Sequence, residues 1–151
     1  MPAMRIFPWV ALWTALAILS AAASDTTPPA GRWKTIDDET GKPKSIVRLY
    51  LEGDELKGKV DSLLPWPGKS PDRVCDKCDG DRKDKPIRGM IVLWGMHRSE
   101  SAWEGGRILD PNNGKTYRCR ITADPGGKSL TVRGYIGISL LGRSQKWERF
   151  D

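Results

Sequence analysis

The stretch Lys115-Thr116-Tyr117-Arg118-Cys119-Arg120-Ile121-Thr122 decides the fold. Tyr117, Cys119 and Ile121 share one face of this stretch, and the two arginines between them take the other face. A period of two residues is typical of a β-strand with one buried and one solvated face. The turn residues 110–114 (Asp-Pro-Asn-Asn-Gly) stand directly before it, so we expect the chain to enter this strand through a hairpin.

The same character recurs on both sides, in short segments separated by turn residues. The other predicted strands are Gly31–Ile36, Ile46–Leu51, Leu56–Leu64, Gly89–Trp94, Ser101–Leu109, Leu130–Ile136 and Gln145–Phe150. Residues 31–151 lack convincing helical periodicity, although Ile138–Leu141 suits a short helical turn or a bend. The pattern predicts an all-β fold, an antiparallel up-and-down barrel of about eight strands that forms a single domain over residues 31–151.

One long loop interrupts this regularity. Residues 65–86 contain four prolines and two of the three cysteines, with almost no apolar periodicity. A loop of about twenty residues is uncommon in a compact domain and usually forms a lid or a binding loop, or is disordered. We therefore expect residues 65–86 to be a distinct feature of the barrel.

The first 23 residues indicate the compartment. Arg5 precedes an almost wholly apolar run, Ile6–Leu19, and small residues follow at 20–23. The run is about 14 residues, short of the ~20 that span a bilayer, so it predicts a cleaved signal peptide over residues 1–23. An uncleaved anchor is the alternative. We expect a periplasmic or secreted protein with a flexible lead-in over residues 24–30 and no membrane span after cleavage.

The charge distribution argues against nucleic-acid binding. The formal net charge is +6, and removal of residues 1–23 takes away Arg5 and no acidic residue, which leaves +5. Basic and acidic residues are interleaved, whereas nucleic-acid-binding proteins usually concentrate positive charge on one face.

The three cysteines of a secreted chain can form at most one internal disulfide. Cys75 and Cys78 lack the following histidine of a haem-attachment site, a second cysteine pair for zinc, and a strand-to-helix setting for redox catalysis. We favour a structural Cys75–Cys78 bridge with Cys119 as a small buried hydrophobe, although the sequence leaves all three pairings open. The single histidine, His97, fits a surface position, and we expect no catalytic residues, metal or cofactor.

Gly31-Arg32-Trp33 resembles the Gly-x-Trp opening of lipocalin-like (calycin) barrels. The resemblance implies that Trp33 closes one end of the barrel beside an arginine from the end of the chain, either Arg149 or Arg143. Longer motifs resemble the bacterial exported family called domain of unknown function 2147, which implies a calycin-like barrel and no settled activity. They are Trp33-x-Thr35-x-Asp37-Asp38-x-Thr40-Gly41-Lys42, Asp84-Lys85-Pro86-Ile87-x-Gly89-Met90, Gly106-x-Ile108-Leu109-Asp110-Pro111-x-x-Gly114-Lys115-x-Tyr117, and Val132-Arg133-Gly134-Tyr135-Ile136-Gly137 with Gly142-Arg143.

Aromatic residues supply the candidate ligand site. Four aromatic residues have a large apolar area. Each is also expected either to face inward in the alternation of its strand or to lie on a strand that is buried on both faces. They are Trp94, Trp103, Tyr117 and Trp147. We expect a non-catalytic binding module for a small apolar or amphipathic ligand, held in a cavity of a few hundred Å³. One alternative is an envelope protein whose packed barrel contacts an unidentified protein through its surface or long loop. A thiol or metal enzyme that uses Cys75 and Cys78 is a further alternative.

Overall fold

The computed structural model describes residues 28–151, which form a closed antiparallel barrel in which each strand pairs with its neighbours in sequence and the last pairs with the first. This confirms the predicted all-β, up-and-down barrel of eight strands. The strands are β1 Gly31–Ile36, β2 Pro43–Glu52, β3 Glu55–Leu63, β4 Ile91–Arg98, β5 Trp103–Asp110, β6 Lys115–Ala123, β7 Ser129–Tyr135 and β8 Arg143–Arg149.

The largest difference from the predicted strand bounds concerns β4, which begins and ends later than expected. Gly89 has a φ of +84°, and the Met90 amide donates to the Ile87 carbonyl at 3.0 Å, so this segment is still turning. Gly95 has a φ of +68° and interrupts the alternation of the strand without ending it. Glycine tolerates such a backbone, and β4 therefore continues past Trp94 to Arg98.

The core is made by the inward faces of the strands. On neighbouring strands, Leu49, Gly58 and Leu93 occupy paired positions, and a Cβ at Gly58 would lie 3.0 Å from side-chain atoms of both leucines. The missing side chain lets Leu49 and Leu93 fill the space across β3. This close packing fills the barrel interior around these three residues.

Trp33 closes one end of the barrel, as the resemblance to calycin barrels implies. Its side chain is fully buried, and its Nε1 donates to the Pro29 carbonyl at 2.9 Å. The guanidinium of Arg149 lies over the indole, with Cζ 4.2 Å from the ring centroid. Arg143, the other candidate, begins β8 at the opposite end of the barrel. We call the Trp33 end the closed end.

The long loop 65–86 is ordered by contacts with the barrel. It contains the disulfide Cys75–Cys78, both cysteines are buried, and the 3-10 helix Gly80–Arg82 follows. The Cys75 sulfur lies 3.6 Å from the Pro111 carbonyl, and a Cβ at Gly114 would overlap the Lys77 carbonyl. Glycine at 114 therefore allows the loop to pack directly on the β5–β6 turn.

The proposed signal peptide, residues 1–23, lies outside the described residues. Of the expected lead-in 24–30, only residues 28–30 are described. Pro29 is buried there, and its carbonyl accepts the hydrogen bond from Trp33 Nε1. Across residues 28–151, none of the helical segments has the length and apolar character required to cross a bilayer.

Candidate ligand site at the open end of the barrel

A cavity of about 190 Å³ lies at the end of the barrel opposite Trp33. Because the strands alternate in direction, four connections meet at this end: residues 37–42, 64–90, 111–114 and 136–142. Asn112 and Asn113 line the cavity and are exposed, so the cavity reaches solvent. We call this the open end.

The wall of the cavity is mainly apolar. Its apolar side chains come from six of the eight strands, from the segment before β4 and from the β5–β6 turn, because inward positions around the barrel converge on one space. They are Val47, Val60, Leu63, Ile87, Val92, Ile108, Leu109, Pro111, Val132 and Trp147. An apolar wall with a few polar groups near its opening is the usual construction of a small-molecule site.

Hydrogen-bonded side chains occupy parts of the cavity lining. Asn113 Nδ2 donates to the Tyr117 hydroxyl oxygen at 3.0 Å, and the hydroxyls of Thr35 and Ser45 lie 2.6 Å apart. Gln145 Nε2 donates to Asp38 Oδ2 at 3.1 Å. These groups hold the lining in place by contacts with one another, which leaves the apolar surface between them free to accept a ligand.

Arg73 reaches the cavity lining from the long loop 65–86. Its Nη1 donates to Asn112 Oδ1 at 3.2 Å, and its carbonyl accepts a hydrogen bond from the Ile87 amide at 3.2 Å. Its Nε is buried and has no hydrogen-bond partner among the described residues. Buried donors are rarely left unsatisfied, so this atom is an exception that calls for an explanation.

Two of the four aromatic residues proposed from the sequence line this cavity. Tyr117 and Trp147 are in its wall. Trp103 is buried but begins β5 at the closed end, and Trp94 lies beneath the long loop, with the Arg82 guanidinium 4.3 Å from its ring centroid. The structure does not bring Trp94 and Trp103 into this wall. Trp103 lies at the other end of the barrel, and alternation along a strand does not predict height. Trp94 pairs with the exposed Arg107, so it lies on the outer face of β4.

The cavity is smaller than the few hundred Å³ expected of a ligand-binding barrel. The buried side chains of Leu49, Leu56, Leu93 and Met96 are not part of its lining, so this cavity does not extend to the closed end. A cavity of about 150 Å³ can hold benzene. The space therefore suits a ring or a short chain.

Sequence reasoning missed the polar lining residues Lys44, Arg73, Asn112 and Gln145. Lys44 lies within β2 because the strand begins three residues earlier than predicted, and its neighbour Ser45 pairs with Thr35 of β1. Arg73 is in a segment without periodicity, so no pattern indicated its direction. The only available signal was the proline-rich loop itself, which sequence analysis identified as a potential lid or binding loop.

All three cysteines of the chain are buried. Cys75 and Cys78 are joined in the disulfide favoured from the sequence. Cys119 is a buried free cysteine, and burial raises the pKa of its thiol from 9.0 to about 12. Within residues 28–151, no group of three or more His, Cys, Asp or Glu side chains is arranged to hold a metal ion. His97 is exposed, with Nδ1 3.8 Å from Asp54 Oδ2.

An exposed apolar segment borders the open end. Ile136, Ile138, Leu140 and Leu141 have between 60% and 83% of their surface exposed. These four residues lie in the connection after β7, which also contains the 3-10 helix Ser139–Leu141. We call residues 136–141 the mouth segment. Exposed apolar patches of this kind often mark contact surfaces.

Comparison with known structures supports the fold. A Helicobacter pylori protein described as belonging to the lipocalin family has a TM-score of 0.68 and 18% identity to this chain. The alignment covers 81% of this chain and 82% of that one. No curated protein matches the sequence at a significant level.

A family model provides the assignment that the barrel geometry alone does not. The model for an "uncharacterized protein conserved in bacteria", domain of unknown function 2147, matches residues 31–149. This range runs from the first residue of β1 to the last residue of β8. The chain therefore belongs to the bacterial family of domain of unknown function 2147, and its barrel is lipocalin-like.

Proposed function

We propose that this protein is an exported, non-catalytic binding module for one small apolar or amphipathic molecule. The observation that carries the proposal is the 190 Å³ cavity, which has an apolar wall and polar groups that reach solvent. Eight-stranded barrels are wide enough to hold a single small ligand beside their packed side chains. The ligand enters at the open end, because Trp33 and Arg149 occupy the closed end.

Tryptophan fluorescence tests this proposal, because Trp147 is in the cavity wall and Trp103 is not. Titration with short alkyl or aromatic molecules should change the emission and raise the melting temperature with occupancy. Trp147→Phe should remove most of the emission change, whereas Trp103→Phe, the matched control, should keep it. If none of these molecules changes the emission or the melting temperature, the binding proposal fails.

A second candidate function is contact with a partner protein, and the mouth segment favours it. Its four aliphatic side chains are solvated, although aliphatic side chains are stabilised by burial. The long loop, the first surface suggested by the sequence, is a weaker candidate because both of its cysteines are buried against the barrel. A photo-crosslinker at Leu140 should capture a discrete partner in cells, whereas the same group at Leu51, on β2, should not.

The thiol-enzyme alternative has less support. Cys75 and Cys78 are oxidised and buried, and the high pKa of Cys119 keeps its thiol protonated near neutral pH. A thiolate is the nucleophile in cysteine chemistry. We therefore assign the cysteines structural roles in the proposed binding module.

A further inference from the structure

The charged residues in the cavity lining are predominantly basic. Lys44, Arg73 and Arg143 line the cavity, and Asp110 is the one carboxylate among the described residues that line it. Asp110 Oδ1 already accepts hydrogen bonds from Asn112, from the amide at 2.9 Å and from Nδ2 at 3.1 Å. This carboxylate therefore stabilises the β5–β6 turn, and the lining retains an excess of positive charge.

Neither Lys44 nor Arg73 forms an ion pair within the described part of the chain, and Arg73 also has an unused buried donor. Its Nε is buried without a partner, while Nη1 is held by Asn112. Arg143 differs, because it forms an ion pair with Asp38. A half-buried guanidinium without a counter-charge is costly, and an anion bound in the cavity would reduce that cost.

The rest of the cavity suits an apolar group. Val47, Val60, Val92, Val132 and Trp147 line it, and none of these side chains offers a hydrogen-bond acceptor to a cation. A molecule that fits both parts carries an anionic head and an apolar tail. The 190 Å³ volume accommodates about six to eight carbon atoms, by comparison with cavities that hold benzene.

We propose that the ligand is a small carboxylate with an apolar tail, and that Arg73 binds its head with support from Lys44. This inference rests on the proposed binding function and specifies the chemistry of the ligand. A guanidinium matches a carboxylate better than a point charge does, because its planar fork donates two parallel hydrogen bonds. The long loop thus contributes the residue that recognises the head group.

The test compares octanoate with octan-1-ol, which has the same chain length and no charge. The full-length gene is expressed, and the protein is purified with or without residues 1–23, as the cell leaves it. Both molecules are then titrated into this protein. We expect octanoate to bind at least tenfold more tightly than octanol. Arg73→Gln should remove this preference.

Arg88→Gln is the matched control. Arg88 follows the same loop, is exposed and does not line the cavity. Its Nη2 lies 4.0 Å from Asp72 Oδ1. It should keep the tenfold preference. If Arg73→Gln does not fold, Lys44→Gln should reduce the preference at least threefold, and the wild-type ratio of the two affinities remains a direct test.

The outcomes separate the two proposals. Equal binding of octanoate and octanol to the wild-type protein, or an unchanged preference in folded Arg73→Gln, overturns the carboxylate site and leaves the binding module intact. Failure of both molecules to bind overturns the carboxylate site and counts against the proposed binding function as well. A preference for octanoate that depends on Arg73 supports both.

Discussion

The guanidinium carbon of Arg149 lies 4.2 Å from the centre of the Trp33 ring, and this contact joins the last strand of the barrel, β8, to the first, β1. Arg149 also donates from Nε to the Gly127 carbonyl at 3.0 Å and from Nη1 to the Ala30 carbonyl at 3.3 Å. One side chain thereby links the segment before β1, the β6–β7 turn and the buried indole. This contact closes the barrel at the end away from the cavity.

Arg149→Lys should destabilise the protein by about 1–2 kcal/mol, because lysine lacks the planar fork that stacks on Trp33 and donates to two carbonyls. Urea unfolding measures the change. Arg143→Lys, at the exposed open end, is the control and should alter the free energy of unfolding by less than about 0.5 kcal/mol. Equal effects of the two substitutions would contradict the role of Arg149.

Gly134→Val should block the cavity without unfolding the barrel. Gly134 lines the cavity, and a Cβ there would lie 3.5 Å from the nearest atom, the Cβ of Tyr117, an ordinary contact. Valine also suits a strand, so ligand affinity should fall at least tenfold with little change in stability. Gly58→Ala, whose Cβ would lie 3.0 Å from Leu49 and Leu93, should instead destabilise by about 1–3 kcal/mol. Ligand binding unaffected by Gly134→Val would place the site elsewhere.

Replacing Cys75 and Cys78 together by alanine should loosen residues 65–86 more than it destabilises the barrel. The bridge closes a very short loop, so chain entropy gives it less than the ~3 kcal/mol expected for a 15-residue loop. Hydrogen exchange should accelerate in the long loop and remain slow in β1 and β8. Exchange that is unchanged in the loop, or mass mapping that finds Cys119 in the bridge, would refute this.

Cys119 should make the protein less stable at high pH. Its pKa is about 12 in the folded state against 9.0 for an exposed thiol, because burial disfavours the thiolate. As pH rises above 9, the unfolded chain loses this proton first, so the free energy of unfolding falls by up to ~1.4 kcal/mol per pH unit. Cys119→Ala should lack this part of the slope, and the wild-type thiol should react with a thiol reagent only after unfolding. Identical slopes in the two proteins would exclude the effect.

Asp124 should contribute to stability above acidic pH. A hydrogen bond from the Ser129 hydroxyl, with a second from Thr131, holds the pKa of this carboxyl below its usual 3.8. The contribution is present above the unfolded-state value and disappears as pH falls through the lower folded-state value. The wild-type melting temperature should therefore fall more than that of Asp124→Asn between pH 5 and pH 2. Parallel acid curves for the two proteins would contradict this assignment.

The alternation of side chains along each strand explains why the strands and their inward faces could be predicted from the sequence. Period-two alternation in 115–122 identified β6, and similar patterns identified the other strands of the barrel. Tyr117 and Trp147 were placed on inward faces and do line the cavity. These features depend on each residue and its near neighbours, because side chains alternate across a strand wherever it lies.

Which inward-facing residues reach the cavity depends on their height along the barrel axis, and only the tertiary structure decided this height. Trp103 points to the core from the closed end, while Tyr117 reaches the cavity from the open end. Strand stagger sets this height, and no local pattern records it. The choice of Arg149 over Arg143 follows from the same geometry, because the two ends of β8 lie at opposite ends of the barrel.

The sequence by itself therefore determined the class of fold, the number of strands and the faces that their side chains take. Tertiary packing decided that the cavity at the open end is only 190 Å³ and that Arg73 of an aperiodic loop reaches it. The physical reason is that alternation is a local property of the backbone. A cavity is what remains after side chains distant in sequence have packed against one another.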